Sequence, residues 1–179
     1  MSIKNAVRGI FGGKHSGALT PGTPAPEISL KDASGKSQSL EAALKKGPVL
    51  AAFFKVSCPV CQFTFPFLER MYETYGDSKI TFWGISQDDA RDTREYAQEF
   101  GARFPMLLDE KGYPVSNQYG LTNVPSVFLI SPDGTIRVSS VGFSKADLER
   151  IAAEAARSSG KPALPLFKPG EVIPDYKPG

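Results

Sequence analysis

The chain has 179 residues, 21 Lys and Arg against 19 Asp and Glu for a formal net charge of +2, and 41% hydrophobic residues. That is one full domain with appendages, long enough to bury a core without cross-links. So small a charge excess excludes nucleic acid or an acidic membrane surface as the main partner, and two cysteines exclude a disulfide-stapled scaffold.

Ile3, Val7, Ile10 and Phe11 recur at helical spacing with Lys4 and Arg8 on another face, which predicts a short amphipathic helix before Gly12 and Gly13. Residues 12–24 read as a Gly/Pro/Ser/Thr linker. Residues 25–30, a turn at 32–35 and residues 37–40 read as a hairpin, followed by a brief helix over 41–46. Residues 48–56 are apolar with little alternation, as in a strand buried on both faces of a sheet. The next helix is predicted from Pro59 to about Tyr75. Pro59 sits in its first turn, where a missing N–H is no loss; Pro66 lies deeper and kinks it.

Residues 79–86 read as a strand. Ser86 or Asp88 is then expected to cap a helix through Phe100, with Ala90, Tyr96, Ala97 and Phe100 as its buried face. Residues 106–108 form a short strand and 115–119 a turn of helix. Residues 126–131, a tight turn at 132–134, and residues 136–141 read as a strand and its returning partner. Ser144 caps a final helix. From Gly160 onward, Pro162, Pro165, Pro169, Pro174 and Pro178 predict an extended segment. Its Leu164, Leu166, Phe167, Val172, Ile173 and Tyr176 are too apolar for a solvated linker, so it is expected to pack along the domain. The chain thus divides into an N-terminal segment and linker (1–21), a domain (22–159) and a proline-rich tail (160–179). Strands alternating with helices, then a closing antiparallel pair, predict an α/β fold with a mixed central sheet flanked by helices.

The chemistry concentrates in Cys58-Pro59-Val60-Cys61, which holds the only two cysteines. A thiol where a buried strand gives way to a helix meets unpaired N–H groups and the positive end of the helix dipole. Those charges favour the thiolate, which is the nucleophile. A second thiol three residues on lies one helical turn away, close enough to resolve a mixed disulfide. Zinc fits poorly, since a structural site takes four Cys or His ligands and only His15 could join the two cysteines; no metal is expected. No run approaches the roughly 18 apolar residues of a membrane span. No apolar stretch follows Lys4 and Arg8 as a secretory signal requires. The expected location is cytoplasmic.

With these features in order, the chain resembles the thioredoxin superfamily over residues 22–157. Within it, the likeness is to bacterial redoxins of the TlpA-like thiol–disulfide oxidoreductase group, relatives of the AhpC/TSA proteins. Residues 22–30 with Asp32 and Gly35 look like the redoxin N-terminal hairpin. Cys58 and Cys61 match the active-site pair, Pro66 the helix-kinking proline, and Val124-Pro125 the cis-proline loop that faces the disulfide. X–Pro bonds are where a cis peptide is least costly. The resemblance implies a thioredoxin-like fold, Cys58 as nucleophile and Cys61 as resolving thiol. It also implies substrate contacts at Val124, Pro125, Pro59 and Val60, no cofactor, protein or small-molecule disulfides as partners, and a recycling reductant.

Three positions depart from the pattern. Ser57 stands where the family usually has tryptophan, Ala52 where thioredoxins bury an aspartate, and Thr64 where TlpA-like relatives often carry glutamate. Lys55 is the nearest charged residue in sequence, either favouring the thiolate or solvated at the strand end. Two other readings compete with the oxidoreductase. A peroxiredoxin-like peroxidase needs a hydroxyl three residues before its cysteine, a proline further upstream and an arginine across the pocket; here stand Lys55, Ala51 and Pro125. A non-enzymatic interaction or redox-sensing module would explain Ser57 and the absent carboxylates.

Overall fold

The protein is described by a computed structural model covering residues 17–76 and 79–179; the helix predicted for residues 3–11 and His15 lie outside the described residues. The hairpin comes first, with β1 (Ser29–Lys31) antiparallel to β2 (Ser37–Ser39). Asp32 closes its turn by accepting the Ser34 and Lys36 N–H groups, the Ser34 hydroxyl and the Gln38 amide. Ser39 then accepts the Ala42 N–H and caps α1 (Leu40–Leu44).

β3 (Val49–Phe54) is buried at every residue, as its unbroken apolar run predicts. It is the central strand of a five-stranded sheet ordered β5-β4-β3-β6-β7, with β4 at Thr81–Ser86, β5 at Met106–Leu108, β6 at Ser126–Ile130 and β7 at Ile136–Val141. β3, β4 and β5 run parallel, whereas β6 pairs antiparallel with both β3 and β7. Alternate residues of β3 feed two cores. Leu50, Ala52 and Phe54 pack with α2 (Pro59–Tyr75), α3 (Ala90–Glu99) and α5 (Lys145–Ser159). Val49, Ala51 and Phe53 face the other way, against Ile28, Leu40, Tyr119 and Phe128. The expected mixed sheet flanked by helices is what the chain forms.

Three local expectations are corrected. Asp89, not Ser86 or Asp88, caps α3 by accepting the Asp92 N–H. Ser86 ends β4 with its hydroxyl oxygen taken by the Asp88 N–H and the Thr93 hydroxyl, and the Asp88 carboxylate accepts the Val56 N–H. The buried face of α3 is Thr93 and Tyr96, with Ala90, Ala97 and Phe100 only half-buried. The stretch read as a linker is docked where it is described. Leu19 is buried and donates its N–H to the Tyr119 carbonyl, Gly22 bonds to Ile136, and Pro24 bridges Thr135.

α5 is capped by Ser144 and ends at Gly160, whose left-handed φ of 67° suits a residue without Cβ. Beyond it the chain crosses α2. The Tyr75 hydroxyl accepts the Leu164 N–H at 2.8 Å, and Arg70 holds Glu171 through bonds of 2.8 and 2.5 Å. Phe167 packs against Phe67 and Phe143. β9 (Tyr176–Lys177) finally pairs antiparallel with β8 (Phe143–Ser144).

Candidate active site

Cys58 is the N-cap of α2, in an extended conformation with Pro59 in the first turn. Its sulfur accepts the Cys61 N–H at 3.2 Å, which is the helix-terminus contact the sequence predicts. The loop leading into it is held from both sides. The Val56 N–H donates to Asp88 at 2.8 Å, and the Val56 carbonyl accepts the Gln62 side-chain amide at 2.8 Å. Cys58 is half-buried and Cys61 fully buried; the two sulfurs are not bridged. Burial pushes the Cys61 thiol well above its ordinary range, and its hydrogen-bond contact with Cys58 adds to the rise. The reduced pair therefore has an accessible sulfur in front of a protonated, buried one.

The Val124–Pro125 peptide bond is cis, and the Val124 carbonyl lies 3.4 Å from the Cys58 sulfur across 66 residues of sequence. Pro59 is exposed and Val60 half-buried beside the sulfur. All six residues named in the sequence as site candidates thus belong to one neighbourhood. A cavity of about 450 Å³ opens next to Cys58, walled by Lys55, Tyr113, Asn123 and Val124 among others. The Lys55 ammonium sits 5.2 Å over the Tyr113 ring, and Tyr113 holds a left-handed φ of 54°, uncommon for a bulky side chain. Lys55 therefore faces the site rather than open solvent alone.

At the two positions where the resemblance leads one to expect a carboxylate, Ala52 and Thr64 are both buried, and the Thr64 hydroxyl is spent on the Val60 carbonyl at 2.7 Å. The remote carboxylate that reaches the motif loop is Asp88, engaged by Val56. Helical spacing puts Tyr96 in the core, as the structure does, but gives no sign of its hydroxyl, which is buried with no hydrogen-bond partner. Its ring packs at 4.8 Å on Phe54 and 5.2 Å on Phe65. Burial raises the phenol far above its usual range, and the nearby Cys61 and Cys58 sulfurs raise it further. Asn123 and Gly179 also meet at the edge of this neighbourhood, joined by a bond of 3.0 Å beside Val124. A single Tyr at helical spacing carries no sign of an unpaired hydroxyl, and partners 56 residues apart leave no local pattern. Among the described residues no group of three or more His, Cys, Asp or Glu side chains is arranged to hold a metal.

The chain is similar in sequence and in fold to known proteins. Thiol-disulfide oxidoreductase ResA of Bacillus subtilis is 28% identical over 172 residues, 96% of this chain and 86% of that protein. Thioredoxin-like protein YneN of the same organism is 28% identical over 137 residues, covering 74% and 78%. Among solved structures, the thioredoxin domain of a thiol-disulfide oxidoreductase from Bacteroides vulgatus superposes with a TM-score of 0.67 at 26% identity, over 76% of this chain and 98% of that one. A thiol:disulfide interchange protein of the thioredoxin family from Chlorobium tepidum gives 0.63 at 30%, over 76% and 97%. These likenesses and the topology make the fold thioredoxin-like. The AhpC/TSA family model matches residues 21–139, from the docked N-terminal stretch into β7, and the chain belongs to the AhpC/TSA family.

Proposed function

We propose that the protein is a thiol–disulfide oxidoreductase whose centre is the Cys58–Cys61 dithiol. The observation that carries this reading is the position of the Cys58 sulfur, bonded to the Cys61 N–H at a helix start and facing the Val124 carbonyl. The relatives named thiol-disulfide oxidoreductase support it. The Cys58 thiolate attacks a substrate disulfide; a Cys58–substrate bond forms, the substrate S–S bond breaks, and the departing thiolate takes up a proton. Cys61 then gives up its proton and attacks the Cys58 sulfur, closing the Cys58–Cys61 disulfide and releasing the second substrate thiol. Two electrons pass to the substrate. A donor dithiol restores the pair by the reverse steps.

Val124, Pro125, Pro59 and Val60 surround the attacking sulfur and are the surfaces a substrate would meet. Among the described residues no arginine lines the cavity beside Cys58, so the contact a peroxidase would use to polarise its peroxide has no support here. Reduction of insulin with dithiothreitol as electron donor tests the proposal. Cys58→Ser should fall to the uncatalysed rate, and Cys61→Ser should accumulate a mixed disulfide at Cys58. Equal turnover by the parent and Cys58→Ser would refute it.

A further inference from the structure

Residues 175–179 return to the neighbourhood of Cys58 along an extended path. We propose that this segment is an internal occupant of the strip on which an extended peptide substrate would lie, so that protein substrates compete with it and small disulfides do not. The inference rests on the oxidoreductase reading above and adds a substrate class and a barrier to it.

The segment is held by backbone pairing, as an added peptide strand is, in a two-stranded ladder of β8 and β9 outside the five-stranded sheet. β9 pairs with β8, and the Lys145 N–H donates to the Asp175 carbonyl at 2.9 Å. Gly179 then meets the cis-proline loop, where its carbonyl accepts the Asn123 side-chain amide at 3.0 Å. The approach is close enough to require glycine on both sides. A Cβ on Gly179 would overlap the Val124 carbonyl oxygen, and a Cβ on Gly142 would overlap the Lys177 carbonyl oxygen. That same Val124 oxygen is the one 3.4 Å from the Cys58 sulfur, and Gly179 forms part of the wall of the Cys58 cavity. Lys177 adds a side-chain contact, its ammonium 5.1 Å over the ring of Phe63, two residues past Cys61.

The tail is anchored unevenly. Upstream, Arg70 grips Glu171, and Leu166 and Phe167 pack into the core. Downstream, Asp175, Tyr176, Pro178 and Gly179 are exposed, and short pairings with solvent-exposed backbone are the first to open. The last five residues can therefore leave the strip while the rest stays docked. Cys58 itself is only half-buried with the segment in place, so a small disulfide reaches the sulfur without displacing anything.

The test uses the full chain and two variants, Gly179→Val, which cannot approach Val124, and Lys177→Glu, which loses the cation over Phe63. If the segment occupies its strip in about four-fifths of molecules, its release should speed insulin reduction about fivefold. The rate with the small disulfide 5,5′-dithiobis(2-nitrobenzoate) should stay the same. Insulin rates equal to the parent in both variants would overturn the proposal. Amide hydrogen exchange at Lys145 reads occupancy without any chemistry and so separates this inference from the one beneath it. With Cys58→Ser protein, saturating insulin should speed exchange at Lys145; unchanged exchange overturns the proposal even where the dithiol chemistry holds, and faster exchange supports it even where that chemistry fails.

Discussion

Cys58 and Cys61 are one helical turn apart in different surroundings, and the contrast sets what each can do. Burial raises the Cys61 pKa, so its contribution to the stability of the reduced protein is complete below the ordinary thiol value of 9.0. As pH rises past that value the unfolded chain loses the proton first, and stability falls by about 1 kcal/mol per pH unit. Denaturant titrations of the reduced protein at about pH 8 and about pH 10 should show this loss, and Cys61→Ala should show a shallower one because that thiol is gone. Tyr96 gives a second prediction. Its buried hydroxyl has no partner, and an unpaired buried hydroxyl costs about 1–3 kcal/mol. Tyr96→Phe removes that cost with little change in packing and should raise stability by about 1 kcal/mol; a comparable loss would show that the hydroxyl is bonded.

At the level of elements, the strand-turn-helix that carries the motif was legible because its signals are local. The unbroken apolar run of β3 and Pro59 at the start of α2 lie within a dozen residues of each other, and the helix ends where its pattern ends. The cap of α3 was not legible. Ser86, Asp88 and Asp89 are equivalent in propensity, and the choice falls to Asp89 because Val56, 32 residues before Asp88, claims its neighbour. α4 (Pro114–Gln118) makes a similar point. Its start is held by Asp109, fully buried, which accepts the Val115 and Ser116 N–H groups and the Ser116 hydroxyl. Nothing around Asp109 in the sequence marks it as a buried anchor. Asp109→Ala strips three donors of their acceptor and should cost about 3 kcal/mol in denaturant unfolding. It should also loosen Tyr113 and Asn117, which wall the Cys58 cavity. A change within about 0.5 kcal/mol would mean that water replaces the carboxylate at no loss.

Across the whole molecule, what the sequence left open is what joins distant segments. The docking of Leu19 on Tyr119 spans a hundred residues, and composition alone made that stretch a linker. The expectation that the apolar residues of the proline-rich tail pack along the domain holds for Leu166, Phe167 and Ile173, whereas Leu164, Val172 and Tyr176 are exposed, and only the fold shows that the tail reaches Val124. Arg70 and Glu171 bind it to α2, and the Arg70 guanidinium holds the Glu171 carboxyl down at about 2 instead of its ordinary 4.5. A lowered folded-state value means that this attachment is complete above about pH 4.5 and is lost as pH falls through about 2. An NMR titration of the Glu171 carboxyl should find it ionised down to that range, and Arg70→Ala should return it towards 4.5. The Cys58–Cys61 dithiol itself is open to a redox equilibrium. The reduced protein is poised in graded mixtures of reduced and oxidised dithiothreitol, quenched with acid, alkylated and mapped by mass spectrometry. The expected result is one reversible two-electron step that converts both thiols into an intramolecular Cys58–Cys61 disulfide. Thiols that stay free throughout, or that oxidise only into intermolecular dimers, would contradict it.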